Sequence, residues 1–362
     1  AEHQIATQTW RDKAKALGVD PDKPLFAIGF NPVWRRTVKA FFQGVRVAFV
    51  ADASKVPTGH AAVIWGRKPA PGLDASCTLL RLEDGFLRSV GLGAQFAKPL
   101  SWVIDSRGLY FDATGPSDLE NLLNSRVFSS QERARARQLQ EKICRDRLSK
   151  YNTPGQPWCR PDHPRVMLVI GQVETDASIT YGATQIKTNL ALVKAVRERH
   201  PDAWIVYRPH PDVVAGARAE GRDEQDITHV CHQTAAEAIL PDLLEHCDEV
   251  HVNTSLAGFE ALLREKPVTC YGLPFYAGWG LTTDISRCAR RQRTRTLDEL
   301  LAATLIEYPL YISRNTGAYC TPEHILDELK QWREQSRSPG QRFQAQCGKT
   351  TRTLANLLTG QK

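Results

Sequence analysis

Val166-Met167-Leu168-Val169-Ile170 is an unbroken apolar run, which reads as a strand buried on both faces. The chain beyond it alternates. Gln185–Arg199 has the spacing of an amphipathic helix and Trp204–Tyr207 that of a strand. Then follow a short helix at Leu240–Cys247, a strand at Glu249–Val252, a helix at Leu256–Arg264 and a strand at Pro267–Tyr271. Strands alternating with helices predict an α/β unit with a parallel sheet covered on both faces. Thr321–Gln335 reads as a final long helix, and the residues from Ser336 onward as loosely ordered.

Working back from this stretch, Tyr151-Asn152-Thr153-Pro154-Gly155-Gln156-Pro157, with Pro161 and Pro164, has the composition of a linker. Before it lie short apolar strands at Leu25–Phe30, Arg46–Val50, Ala61–Trp65, Cys77–Leu82 and Trp102–Ile104. Helices are predicted at Asp118–Asn124, with Ser117 as N-cap, and at Gln131–Leu148. The division expected is residues 1–150 for a first domain, 151–320 for a second, and 321–362 for a helix and tail. In such sheets ligands bind beyond the carboxyl ends of the strands, so a cleft between the halves is where chemistry is sought.

Composition sets limits. The chain has 362 residues, 42% hydrophobic and 24% charged, which suits about two globular domains. No apolar run approaches the roughly 20 residues of a membrane span, and the start shows no signal-peptide pattern. Nine cysteines are scattered singly, which reads as reduced cytosolic thiols. No metal-ligand spacing is visible and no cofactor is implied. The GxxxxGK[ST], GxGxxG and GxSxG fingerprints are absent. The net charge of +7 comes partly from Arg133, Arg135 and Arg137, from Arg287, Arg290, Arg291, Arg293 and Arg295, and from a basic tail. These read either as solvated faces or as attraction to an anionic surface. Without interleaved aromatics they do not indicate nucleic acid.

Four segments sit at strand ends. Glu83-Asp84-Gly85 follows a strand and can aim a carboxylate at a sugar hydroxyl, although Asp-Gly also suits a turn. Arg208-Pro209-His210-Pro211 presents an imidazole and a guanidinium suited to a phosphate. Asn253-Thr254-Ser255 precedes a helix and suits an anion site or a simple N-cap, and both can hold at once. Gln172 through Ser178 is dense in polar groups, and in an extended segment Glu174 and Asp176 would face one side. The loop Gly272 through Gly280, rich in glycine and aromatics, either packs or stacks on a ligand.

Together, Glu83-Asp84-Gly85-Phe86 with Arg88-Ser89, Pro99 through Asp105, Asp112-Ala113, Gln172 through Ser178, Arg208 through Pro211 and Tyr271 through Gly280 resemble the KpsC-type capsule polysaccharide β-Kdo transferases. The resemblance runs from about Leu25 to about Gln335. The acid-acid-Gly and His-Pro pair is also similar to bacterial sialyltransferases, which supports a CMP-linked donor. The resemblance implies a GT-B-like fold with two Rossmann-type domains, an inter-domain cleft and a C-terminal helix crossing back. It implies a retaining transfer of Kdo from CMP-β-Kdo to a Kdo-terminated (lyso)phosphatidylglycerol glycolipid, in the cytoplasm at the inner face of the inner membrane. By similarity Asp176 is the nucleophile and Glu83 or Asp84 the acid/base. Gln172, Lys187, Arg208, His210, Pro211, Thr254 and Ser255 are the donor-binding set. Ile28-Gly29-Phe30 with Trp34-Arg35-Arg36 looks more like a β-2,7 module than a β-2,4 one. The alternatives are a nucleotide-sugar hydrolase or epimerase of the same fold, and an interaction module that has lost its chemistry.

Overall fold

A computed structural model describes residues 7–91 and 97–336. The basic tail beyond Ser336 lies outside the described residues, as does the expectation of loose order there.

Twelve strands form two six-stranded sheets among the described residues. The first contains β1 (Leu25–Ile28), β2 (Val47–Val50), β3 (Ala61–Trp65), β4 (Thr78–Asp84) and β5 (Ser101–Asp105). The second contains β6 (Val166–Ile170), β7 (Trp204–Arg208), β8 (Gln233–Thr234), β9 (Glu249–Val252), β10 (Val268–Cys270) and β11 (Thr283–Asp284). The last strand, β12 (Pro309–Tyr311), returns to the first sheet, where it pairs antiparallel with β5.

The second sheet runs β11-β10-β9-β6-β7-β8 and all its pairs are parallel. This is the doubly wound order, with its switch point between β6 and β9. The apolar run that predicted a doubly covered strand is β6, and all five of its residues are buried. Its alternate residues feed two cores: Val166, Leu168 and Ile170 face one side, Met167 and Val169 the other.

The first sheet runs β12-β5-β4-β3-β1-β2 and is parallel from β4 to β2. β4 ends at Glu83 and Asp84, two residues later than its apolar pattern ends, because both still pair with β5 through Val103 and Trp102. Gly85 follows with a Cβ position that would lie 2.3 Å from Ser101 Oγ. The close approach of β5, rather than a left-handed turn, is what requires glycine there.

The helix at Asp118–Ser125 is capped by Ser117, as expected. The next helix spans Ser130–Arg145 and opens with a reciprocal Ser129/Glu132 capping box. The final helix, Pro322–Ser336, lies against it through Arg135–Glu323, Lys142–Asp327 and Lys330–Asp146 ion pairs. Much of the basic character read from the sequence is therefore spent inside the molecule. Arg137 pairs with Asp298, and Arg290 and Arg291 share Glu120. Arg295 donates to the carbonyls of Leu123 and Arg126. No helix among the described residues is long and apolar enough to cross a membrane.

Candidate active site

A cleft of about 450 Å³ opens between the carboxyl ends of β4 in the first sheet and of β6, β7 and β9 in the second. That volume suits a small organic ligand. Glu83, Asp84, Gln172, Asp176, Arg208, His210, Pro211, Thr254 and Ser255 all line it. Lys187 does not. It is an exposed residue just before Thr188, whose side chain caps the helix Asn189–Arg199.

The floor of the second domain is built around Gln172. Its side-chain amide donates to Thr254 Oγ1 at 3.0 Å, and its Oε1 accepts the Thr254 backbone N–H at 2.9 Å. These bonds bridge β6 and β9 across the switch point. Asn189 holds the Gln172 backbone from the other side, accepting its N–H and donating to its carbonyl, both at 2.9 Å. Gln172 thus positions the crevice with polar atoms already engaged. Ser255 caps Leu256–Leu262 by accepting the Ala257 N–H at 3.2 Å and lines the cleft as well.

Asp176 is the N-cap of a short helix, Ala177–Gly182, and accepts the Ser178 N–H at 2.9 Å. Its other carboxylate oxygen lies 3.9 Å from Arg218, and about half of the side chain remains exposed. The stretch Glu174–Asp176 turns instead of running extended, so Glu174 does not share its face. The Glu174 carboxylate accepts the N–H groups of Asn189 at 2.7 Å and Arg222 at 2.8 Å, which ties two loops together.

His210 caps Pro211–Val214, and its Nδ1 accepts the Asp212 N–H at 3.1 Å. With Nδ1 occupied as acceptor, the neutral ring carries its proton on Nε2, a donor suited to a phosphate oxygen. Burial pushes the His210 pKa down, against the pull of Asp212 and Asp176. Arg208, the last residue of β7, is 8% exposed and its Nε has no hydrogen-bond partner among the described residues. Burial lowers its pKa as well. Glu260 opposes that shift, and a buried guanidinium with an unsatisfied Nε is costly unless an anion completes it.

On the opposite wall, Asp84 Oδ2 accepts from Arg88 Nε at 2.5 Å, while Asp84 Oδ1 is buried without a partner among the described residues. Burial and the adjacent Asp84 push the Glu83 pKa up to about 8. Glu83 is thus a largely protonated acid at neutral pH.

Two groups that sequence reading passed over complete the cleft. Lys150 sits beside the linker, its ammonium 5.3 Å from the Tyr151 ring centroid, with no hydrogen bond from the ammonium among the described residues. Burial opposes its charge, but Tyr151, Tyr110, Asp84 and Glu83 keep its pKa above the ordinary lysine value. Glu260, in the helix Leu256–Leu262, accepts the Lys150 backbone N–H at 2.7 Å. One charged residue in the otherwise apolar run Leu256-Ala257-Gly258-Phe259-Glu260-Ala261-Leu262 was the available signal. The loop Gly272–Gly280 mostly packs: Tyr276 and Trp279 are fully buried, and Pro274 and Phe275 reach the cleft.

Comparison with known proteins bears on this arrangement. The sequence model described as "Capsule polysaccharide biosynthesis protein" matches residues 61–159 and 156–311. The chain is similar to capsule polysaccharide modification protein LipA of Neisseria meningitidis serogroup B, 45% identical over 305 residues. That match covers 81% of this chain and 43% of LipA, so the chain spans less than half of that relative. It is also similar to lipopolysaccharide-processing protein LpsZ of Rhizobium meliloti, 41% identical over 329 residues, covering 85% of this chain and 74% of LpsZ. Two solved structures from Thermosulfurimonas dismutans KpsC superimpose on it. The β-Kdo 2,7 transferase does so with TM-score 0.71 and 38% identity, over 85% of this chain and 99% of that one. The β-Kdo 2,4 transferase gives 0.76 and 34%, over 85% and 98%. Both carry the expected GT-B-like fold of two α/β domains about a cleft. With its cleft built on that fold and its sequence matched across most of both domains, the chain belongs to the capsule polysaccharide biosynthesis protein family.

Proposed function

We propose that this chain transfers Kdo from CMP-β-Kdo to a Kdo-terminated glycolipid with retention of configuration. The observation that carries the reading is the pair of cations lining the cleft: the buried Arg208 guanidinium, whose Nε has no hydrogen-bond partner among the described residues, and the Lys150 ammonium, which lies beside the Tyr151 ring. A phosphodiester-linked acidic sugar has two negative charges, one at the phosphate and one on the sugar. Arg208 and His210 suit the phosphate, and Lys150 suits the sugar carboxylate.

The residues support a double displacement. Asp176 attacks the anomeric carbon and forms a glycosyl ester as the bond to CMP breaks. Protonated Glu83 gives its proton to the departing phosphate oxygen. Ionised Glu83 then takes the proton of the acceptor hydroxyl, which displaces Asp176 and restores the starting state. Two inversions leave the anomeric configuration unchanged. Asp84, fixed by Arg88, supplies part of the field that raises the Glu83 pKa.

We take β-2,7 as the working linkage because of the Ile28-Gly29-Phe30 and Trp34-Arg35-Arg36 pattern and the higher identity to the 2,7 transferase. The superposition is nominally closer to the 2,4 transferase, so product analysis is the deciding measurement. The chain is incubated with CMP-Kdo, with and without a Kdo-terminated acceptor, and products are characterised by NMR. A β-linked product formed only with acceptor is expected. Rapid release of free Kdo regardless of acceptor would identify a hydrolase, an altered CMP-sugar an epimerase, and no turnover an interaction module.

A further inference from the structure

Outside the cleft, His200, Glu249 and His251 converge on one face of the second sheet. Glu249 and His251 stand two apart on β9 and so project to the same side, and His200 is the C-cap of the helix Asn189–Arg199 packed over it. One ligand atom from each lies within 4.8 Å of the others. His251 Nε2 and Glu249 Oε1 are 3.6 Å apart. The two imidazole centroids are 5.0 Å apart.

Three of the four imidazole nitrogens lack a hydrogen-bond partner among the described residues. His251 is fully buried, and neither of its ring nitrogens has a hydrogen-bond partner among the described residues. His200 Nε2 is likewise buried without one. Buried polar groups are normally satisfied, so three such nitrogens around one carboxylate call for an explanation. The Thr269 hydroxyl donates to Glu249 Oε1 at 2.6 Å, the kind of contact that orients a ligating carboxylate.

We propose that His200, Glu249 and His251 form a binding site for a divalent transition-metal ion, with zinc the best chemical match. Two imidazoles and one carboxylate suit zinc and its neighbours, whereas calcium and magnesium prefer all-oxygen sets. Ligand bonds of about 2.0–2.1 Å require the three groups to close by roughly an ångström. Half-buried His200 and Glu249 leave an entry path. The opposing groups are Arg165 and the exposed Arg199. Arg165 Nη2 lies 3.4 Å from His200 Nδ1, and metal binding through His200 Nε2 needs the proton on Nδ1, so this contact must be released.

The site has a structural consequence for the cleft. The helix that ends at His200 begins at Asn189, which holds Gln172 and, through its N–H, Glu174. An ion at the far end fixes that helix to β9 and so steadies the loop that presents Asp176. This role does not depend on which sugar or nucleotide the cleft accepts.

The test uses tag-free, metal-stripped full chain titrated with Zn²⁺ by calorimetry and with Co²⁺ by visible absorption. One saturable site is expected, with a Co²⁺ ligand-field band lacking thiolate charge transfer, and with thermal stability that rises with Zn²⁺. His200→Ala and Glu249→Gln should each weaken binding by at least about tenfold, the scale seen when even outer contacts of metal sites are lost. Arg165→Ala should tighten it. His200 and Glu249 are half-buried, so these variants test the site even if a His251 variant fails to fold. No saturable binding would overturn the proposal. So would binding unchanged in both variants, or a thiolate-dominated Co²⁺ spectrum from the cysteines.

Discussion

Glu83 and Asp84 occupy successive positions at the end of β4, yet only Asp84 is paired with a cation, Arg88 Nε at 2.5 Å from its Oδ2. The Glu83 carboxylate instead accepts the Asp84 backbone N–H at 3.0 Å. The two adjacent acids are thereby given different duties, which the sequence Glu83-Asp84-Gly85 left open.

The first prediction follows from the Glu83 pKa of about 8. Transfer needs the protonated acid at the outset, so the rate should fall as pH rises through about 8. Stability has the same sign. The folded-state pKa is raised above the ordinary value of 4.5, so the contribution is complete below that value and is lost as pH rises through about 8. Glu83→Gln should remove the alkaline fall in stability and slow transfer by roughly 10²–10⁴-fold. Denaturant melts and rates across pH 6–9 check both, and a Glu83→Gln variant that keeps the alkaline limb assigns it to another group.

Lys150 supplies a second prediction. Its charge pulls the Glu83 pKa down, so Lys150→Met should move the alkaline limb to higher pH. If the ammonium also meets the sugar carboxylate, the variant should raise KM for CMP-Kdo while leaving the affinity for free CMP nearly unchanged. Equal loss of CMP and CMP-Kdo binding would place Lys150 at the phosphate instead.

Arg208 and His210 are predicted to bind the phosphate. CMP should stabilise the chain against thermal unfolding by mass action. His210→Ala should cost about 1.5–3 kcal/mol of CMP binding, the range for a hydrogen bond to a charged group. Arg208→Met should lose more of the CMP effect, while its cost to the ligand-free chain should be limited, because it removes a buried charge with an unsatisfied Nε but also part of the field that compensates Glu260. Calorimetric titration and thermal scans separate the two effects. A strongly destabilised ligand-free Arg208→Met chain would show instead that Arg208 serves the fold.

Much of this was legible in the sequence where local pattern and tertiary packing agree. β6 and β9 appear with the bounds that their apolar runs gave, and Ser117 caps its helix as its type suggested. Elsewhere long-range contacts overrode the local signal. The helix expected from Gln185 begins at Asn189, because Thr188 caps it and Asn189 is drawn to Gln172. β12 lay hidden because its partner β5 is some two hundred residues away in the chain. Lys150 was masked by its place beside a proline-rich linker, and Lys187, named with the donor-binding set, does not line the cleft. Glu174 and Asp176 were expected on one face of an extended segment, and the turn between them instead makes Glu174 a brace and leaves Asp176 half-exposed at the cleft.

Asp176 is the sharpest test. Its Oδ1 accepts the Ser178 N–H and its Oδ2 faces Arg218 at 3.9 Å, with about half the side chain open to the cleft. Asn is as good an N-cap as Asp, so Asp176→Asn should keep the helix Ala177–Gly182 and the overall stability while removing the nucleophile. Asp176→Ala should also lose about 1 kcal/mol of capping, which makes the pair a control for structure. Both variants should bind CMP but show almost no transfer. In the wild type, incubation with CMP-Kdo without acceptor should trap one Kdo, detected by intact-mass spectrometry and mapped by peptide digestion to the segment carrying Asp176. Addition of acceptor should discharge it. An adduct mapped to another carboxylate, or normal transfer by Asp176→Asn, would remove Asp176 from the reaction; retention with no adduct and an inactive Asp176→Asn would point to a front-face mechanism in which Asp176 stabilises positive charge without bonding.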